Sequence, residues 1–231
     1  MKCLLRTKTA LHLFKQKKIQ HVVEIEIWSD IMCPFCYIGK RKLEQALAEY
    51  GQTEDIHISW KSYQLSPDLV TDPKGNLNEY LARHKNIAIE QAAQMNTQVS
   101  AMAANEGLKY NLNQAIPANT AKAHQFSHLA KTYGKQHEAE ELLFAAYFTE
   151  GKNVDDIAVL IDMASQLGMD VTETEDKLRS EKFQVQVSRD IAEAQEIGVR
   201  GVPFFVFDRK YAISGAQPVE AFLQTLQALR S

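Results

Sequence analysis

Val23-Glu24-Ile25-Glu26-Ile27-Trp28-Ser29-Asp30-Ile31-Met32-Cys33-Pro34-Phe35-Cys36 is the stretch on which the fold turns. Val23, Ile25 and Ile27 alternate with Glu24, Glu26 and Trp28, the two-residue period of a strand. Beyond Cys36 the period lengthens. Leu43, Ala46, Leu47 and Tyr50 recur at helical spacing, and Gly51 supplies the stop. Pro34 suits the first helical position, where its missing N–H would have had no partner. The two cysteines therefore stand where a strand feeds a helix.

Outward from this junction, a second strand is predicted with Ile56, Ile58 and Trp60 on one face and His57, Ser59 and Lys61 on the other. The middle of the chain reads as successive helices. Pro67, Pro73, Gly75 and Asn76 mark a loop before an amphipathic run to about Asn105, and Pro117 opens the next helix. Phe126, Leu129, Ala130 and Tyr133 form one apolar stripe, with His124 and His128 opposite it, read as solvated or hydrogen-bonded surface residues, with an active-site role as the alternative. Leu142, Leu143, Ala146 and Tyr147 continue the pattern, and Ile157, Leu160, Ile161, Ala164 and Leu167 form another stripe, closed by Gly168. Val187, Ile191 and Ala194 share the face of a helix ending near Gly198. The strand period then returns in Phe204-Phe205-Val206-Phe207, turns at Asp208-Arg209 and resumes at Tyr211-Ala212-Ile213. Gly215 and Pro218 introduce a last helix carrying Val219, Phe222, Leu223, Leu226 and Leu229.

Composition bounds the function. In 231 residues, 45% are hydrophobic and 24% charged, which excludes wholesale disorder. No stretch approaches the roughly 20 apolar residues of a membrane span. The net charge of -3 hides a split: the first 20 residues hold six Lys or Arg and no acid, so the remainder carries -9. That balance repels phosphate backbones and argues against a nucleic-acid partner. Lys8, His12 and Lys15 interrupt every apolar run of the basic tail, so it reads as an extension and not as a secretory signal, and a cytoplasmic location is expected. Of the three cysteines, Cys3 falls in the tail and reads as an uninvolved thiol. Zinc is not expected: Cys33 and Cys36 would need His124 and His128 as co-ligands, across a gap far longer than a zinc-finger spacer.

The chemistry these residues allow is thiol–disulfide exchange, in which a thiolate attacks a disulfide sulfur. At the start of a helix, unpaired N–H groups and the dipole favour negative charge on the Cys33 sulfur. Cys36, one turn further in, is the resolving thiol that breaks the mixed disulfide between Cys33 and its substrate. Pro34-Phe35 brings no cation, which favours a mild over a strong oxidant. X–Pro bonds are cis in only about 5–6% of cases. Val202-Pro203, however, stands directly before an apolar strand near the end of the chain. A cis bond there would turn the Val202 backbone toward the cysteine pair and offer its N–H and C=O to an extended substrate. Asp30, three residues before Cys33, is a candidate proton acceptor; its alternative reading is a turn or capping residue.

Trp28-Ser29-Asp30, Cys33-Pro34-Phe35-Cys36-Tyr37-Ile38-Gly39, Asn119-Thr120 with Ala123-His124, Gly198 through Val206 and Tyr211 through Pro218 together resemble the DsbA family of thioredoxin-fold oxidoreductases, in its FrnE-like cytosolic branch. The resemblance implies an α/β, thioredoxin-like fold with a large inserted all-helical domain, divided as a basic extension over 1–21, a first thioredoxin-like part over 22–65, the insertion over 66–180 and a second part over 181–231. It also implies Cys33 as nucleophile, Cys36 as resolving thiol and Pro203 in cis, with Pro34, Phe35 and Val202 in support. No bound cofactor is expected. The partner is a disulfide- or thiol-containing protein or small molecule, with glutathione a candidate exchange partner. Phe35 replaces the Trp usual in this branch. The related kappa-class glutathione transferases and hydroxychromene-carboxylate isomerases, which carry Ser in place of Cys33, offer a second reading. A peptide-binding chaperone module is a third.

Overall fold

The computed structural model describes residues 22–230, so the basic extension and Cys3 lie outside the described residues. Thirteen elements follow one another within them: β1 (Val23–Ser29), α1 (Pro34–Tyr50), β2 (Ile56–Ser62), then α2 (Leu77–Lys85), α3 (Ile89–Asn105), α4 (Ala121–Thr132), α5 (Gln136–Phe148), α6 (Ile157–Gln166), α7 (Val171–Arg179) and α8 (Gln184–Glu196), and finally β3 (Phe204–Phe207), β4 (Tyr211–Ser214) and α9 (Val219–Ala228). The strands form one sheet in the order β2-β1-β3-β4. β1 runs parallel to β2, as the intervening α1 crossover requires, and antiparallel to β3. β3 and β4 form a hairpin whose turn residues, Asp208 and Arg209, both adopt positive φ.

The alternation read in β1 sorts its side chains onto two layers. Ile25 and Ile27 join Phe205, Phe207, Phe222 and Leu226 in the core shared with α1 and α9. Trp28 faces the opposite side with Val206, Ala194 and Val199, against α8. Glu24 and Glu26 share that side. Glu26 is buried and ion-paired to Arg209 and to Lys61, 3.5 Å away.

The structure revises the sequence reading of the helical region at three places and adds α7, which that reading did not contain. The amphipathic run to Asn105 is two helices, because Asn86 takes the left-handed conformation at φ 52° and the Gln91 side chain caps the new start at Ala88. Pro117 does not open α4. Asn119 holds the preceding segment extended by accepting from Ala121 N–H and donating to the carbonyls of Pro67 and Leu69. α7 carries no apolar stripe for periodicity to detect: only Thr174 and Leu178 are buried, and Asp170 caps it. His124 and His128 are also not solvated. α4 is packed on every side, with its residues from Ala123 to Ala130 all buried.

An aromatic stack and an ion cluster are among the contacts that join the insertion to α1. Tyr37, one residue beyond Cys36, stacks on Phe144 of α5 with ring centroids 5.0 Å apart, and Tyr110 stacks on Phe148 at 4.6 Å. One turn further along α1, buried Lys40 lies 2.5 Å from Glu44 and 2.6 Å from Glu141, and Arg41 pairs with both carboxylates. Burial alone would raise Glu44, but the hydrogen bond from His137 and the Lys40 and Arg41 cations hold its carboxyl down at about 2. Glu141 is likewise held below its ordinary value, its burial outweighed by Arg41 and Lys40. Carboxyls depressed in the folded state stabilise it above their unfolded values, and this contribution is lost as pH falls through the folded values. Denaturant unfolding should therefore show stability declining from about pH 4.5 toward pH 2. Lys40→Met should cost about 1–3 kcal/mol at pH 7, since it strips the buried cation from two carboxylates, and should flatten that acid limb.

Candidate active site

β1 ends at Ser29, and the four residues that follow carry the chain over the end of the sheet to α1. Cys33 is the residue before the helix and Pro34 its first residue. Two turns fix this bend: Cys33 N–H donates to Asp30 C=O at 2.9 Å, and Cys36 N–H donates to Cys33 C=O at 3.0 Å. Both thiols are free and buried, Cys33 with 4% and Cys36 with 1% of its surface exposed. Burial pushes the Cys36 thiol well above its ordinary value, and the neighbouring Cys33 sulfur adds to the rise. Ser29 and the Asp30 N–H face the Cys36 sulfur and act the other way.

The Val202–Pro203 bond is cis. The Cys33 thiol donates to Val202 C=O across 3.4 Å, so positions 169 residues apart in the chain touch at the sulfur. Beneath them α1 comes unusually close. A β-carbon on Gly39 would lie 3.0 Å from the Pro203 ring and 3.1 Å from the Phe205 ring. Only a residue without a side chain lets the helix lie so near the Pro203 loop.

Asp30 is 1% exposed, and its carboxylate accepts Leu65 N–H at 2.7 Å and Met32 N–H at 3.4 Å. These bonds match its reading as a turn residue, though they cross to a distant segment as well as closing a local turn. His124 reaches the same place from α4, with Nε2 2.9 Å from Tyr63 C=O and 3.7 Å from the Asp30 carboxylate. The Tyr147 hydroxyl is buried without a hydrogen-bond partner among the described residues, and burial first, then the charge of Asp30, raise its value above that of a free phenol. His128 is occupied elsewhere, with Ser62 and Asp190. Among the described residues no three His, Cys, Asp or Glu side chains gather as a metal site.

Sequence reasoning missed Tyr110. Its hydroxyl donates to Pro34 C=O at 2.7 Å, and burial first, then the two cysteines, raise its value far above that of a free phenol. It lies in the irregular segment between α3 and α4, where no periodic signal marks it. Also missed was the groove beside Cys33, a cavity of about 400 Å³ roofed by α2 and α3 and bounded by Phe35 and Leu65. Cys33 is 4% exposed and forms part of the wall of this groove.

The sequence model of the family described as DSBA-like thioredoxin domain matches residues 24–227. The chain is similar to a probable DsbA oxidoreductase of Streptomyces coelicolor, at 33% identity and a TM-score of 0.83, over 89% of each chain. It is 28% identical, over 80% of its length and 86% of the relative's, to the uncharacterized protein YwbO of Bacillus subtilis strain 168. It shares the fold of the cytosolic disulfide reductase DsbM of Pseudomonas aeruginosa in its structure with glutathione, at 16% identity and a TM-score of 0.64, covering 90% of this chain and 100% of that one. No helix among the described residues is long and apolar enough to cross a membrane.

Gly39→Ala tests the close approach. Alanine gains roughly 1 kcal/mol in helix propensity, but the β-carbon must displace the Pro203 and Phe205 rings, and overpacking costs about 1–3 kcal/mol. Chemical denaturation should show a net loss of stability. Cys33 should be alkylated faster by iodoacetamide, read by mass spectrometry, as the helix start lifts from Val202.

Proposed function

The chain belongs to the DSBA-like thioredoxin domain family and is a disulfide oxidoreductase, and from that premise we propose that it works through Cys33 as nucleophile and Cys36 as resolving thiol. The observation that carries the reading is the pair of free thiols at the start of α1, Cys33 just before the helix with its sulfur at the Val202 carbonyl and Cys36 buried in the first turn. The Cys33 thiolate attacks one sulfur of a substrate disulfide, an S–S bond forms between them, and the other substrate sulfur leaves as a thiolate and takes up a proton. Cys36 then loses its proton and attacks Cys33, releasing the second substrate thiol. Two electrons have passed to the substrate and a Cys33–Cys36 disulfide remains, which a dithiol or two glutathione molecules restore. Run backward, the same steps oxidise a substrate. Val202 and Pro203 form the ledge along which an extended substrate pairs, and Pro34 and Phe35 form its other edge. The identities of the Gly198–Val206 and Tyr211–Pro218 segments support the FrnE-like branch, and a cytoplasmic setting accords with a reducing direction.

Asp30 takes the role of proton acceptor for Cys36. A thiol raised by burial needs a base to ionise at neutral pH, and the Asp30 main chain already borders its sulfur. His124, 3.7 Å from the Asp30 carboxylate, then faces the group that takes up the proton during turnover.

Cys33→Ser should abolish dithiothreitol-driven reduction of a disulfide substrate, measured by insulin precipitation or a fluorogenic disulfide. Cys36→Ser should retain the first step and accumulate a mixed disulfide visible by mass spectrometry. Full activity in Cys33→Ser would remove that residue from the mechanism.

Because Cys36 is raised, release of the mixed disulfide should accelerate as pH rises above 7. Asp30→Asn, which keeps an acceptor for Leu65 N–H, should slow release about tenfold or more near neutrality and progressively less at high pH. An unchanged pH profile would confine Asp30 to its turn role. The glutathione transferase reading predicts conjugation of an electrophile that survives Cys36→Ser, and the chaperone reading predicts suppression of aggregation with both cysteines replaced.

A further inference from the structure

The groove beside Cys33 has a composition that thiol–disulfide exchange alone does not require. Four large apolar side chains stand around its opening with much of their surface uncovered: Phe35 at 40%, Leu65 at 45%, Met95 at 43% and Met102 at 47%. Isolated exposed apolar residues are common on proteins, but a contiguous set around one opening marks a binding surface. Thioether side chains are flexible and polarisable, so Met95 and Met102 can mould themselves to varied apolar partners. The charges are one-sided. No Asp or Glu lines the groove, in a chain with 29 of them. Its titratable side chains other than Cys33 and the Tyr80 phenol are His84 and Lys85, in the last turn of α2. His84 stacks on Tyr80, with centroids 5.5 Å apart, and Lys85 forms no ion pair among the described residues. Cations at a helix C-terminus answer the helix dipole. Arg83, in the same turn, can do that without lining the groove.

We propose that Lys85 makes this groove charge-selective, so that among apolar segments flanking a substrate's reactive cysteine it favours those carrying a carboxylate at the position facing Lys85. An extended chain laid along Val202 presents alternate side chains to the groove. Apolar side chains meet Phe35, Leu65 and the two methionines. An acidic side chain reaches Lys85 without meeting a like charge, whereas a basic one is repelled by it, so discrimination comes from both attraction and repulsion. Naming the bound segment as substrate rests on the exchange reading above, but the charge preference belongs to the groove and can be measured without any redox step.

The test uses two fluorescent peptides with the same apolar core and Ser in place of Cys, one bearing Glu and the other Lys at the position expected to face α2. Fluorescence anisotropy at low salt should show the Glu peptide binding at least about threefold more tightly, with the gap narrowing as salt rises. Lys85→Ala should abolish the gap and Lys85→Glu should reverse it. Replacing the apolar core of the peptide by Ser should weaken binding of both. Absence of binding, equal affinities in the wild type, or a gap untouched by either Lys85 variant would overturn the proposal. The cysteine-bearing peptides, assayed for exchange, separate the two readings. A charge preference without exchange sinks the catalytic assignment and leaves the groove assignment standing, and exchange without a charge preference does the reverse.

Discussion

The site depends on the antiparallel register between the first strand and the third. Trp28 pairs with Phe204, so β1 runs out and β3 begins at the same end of the sheet. The bend carrying Cys33 leaves from that end, and the residue pair Val202-Pro203 arrives there. The ladder brings those two points together although 169 residues of chain separate them. A slip of one residue would turn the buried apolar side chains of β3 to the wrong face, so the burial of Phe205 and Phe207 against Phe222 enforces the contact at the sulfur as well.

The helices between β2 and β3 supply more than a cover. Tyr110 hydrogen-bonds the carbonyl of Pro34, and His124 and Asn119 hold the strap that leaves β2, whose Leu65 and Ser66 line the groove. The stack of Tyr37 on Phe144 and the Lys40–Glu44–Glu141 cluster fasten the same helices to the first two turns of α1. A buried ion cluster contributes modestly to stability because desolvation offsets most of its attraction, but its geometry is exacting. Here it ties α5 to the helix that carries Cys36.

The buried polar groups around Asp30 follow from the same arrangement. The Asp30 carboxylate, at 1% exposure, accepts two N–H donors among the described residues and has His124 3.7 Å away, while the Tyr147 hydroxyl is buried without a partner there. Such a set is costly as scaffolding alone. Its cost is intelligible if a proton moves through it while the neighbouring buried thiol ionises.

Local pattern was enough for much of this protein. The alternation from Val23 to Ile27, Pro34 at the helix start, Gly51 at its end and the apolar run at Phe204–Phe207 are read from neighbours along the chain, because period, capping and turn chemistry are short-range effects. The cysteine spacing was legible for the same reason, whereas the cis bond at Pro203 was expected from the family resemblance, since local pattern alone favours trans. What lay beyond reach was set by partners distant in sequence. His124 and His128 fall opposite an apolar stripe, yet they are buried, because α4 is enclosed by helices whose arrangement periodicity does not encode. Tyr110 sits in an irregular segment and acquires its role only when the insertion folds onto α1. Met95 and Met102 look like ordinary members of an amphipathic helix until α2 and α3 are seen to leave them facing open space beside Cys33. Which side chains a helix buries depends on what packs against it, and that is a property of the assembled tertiary structure.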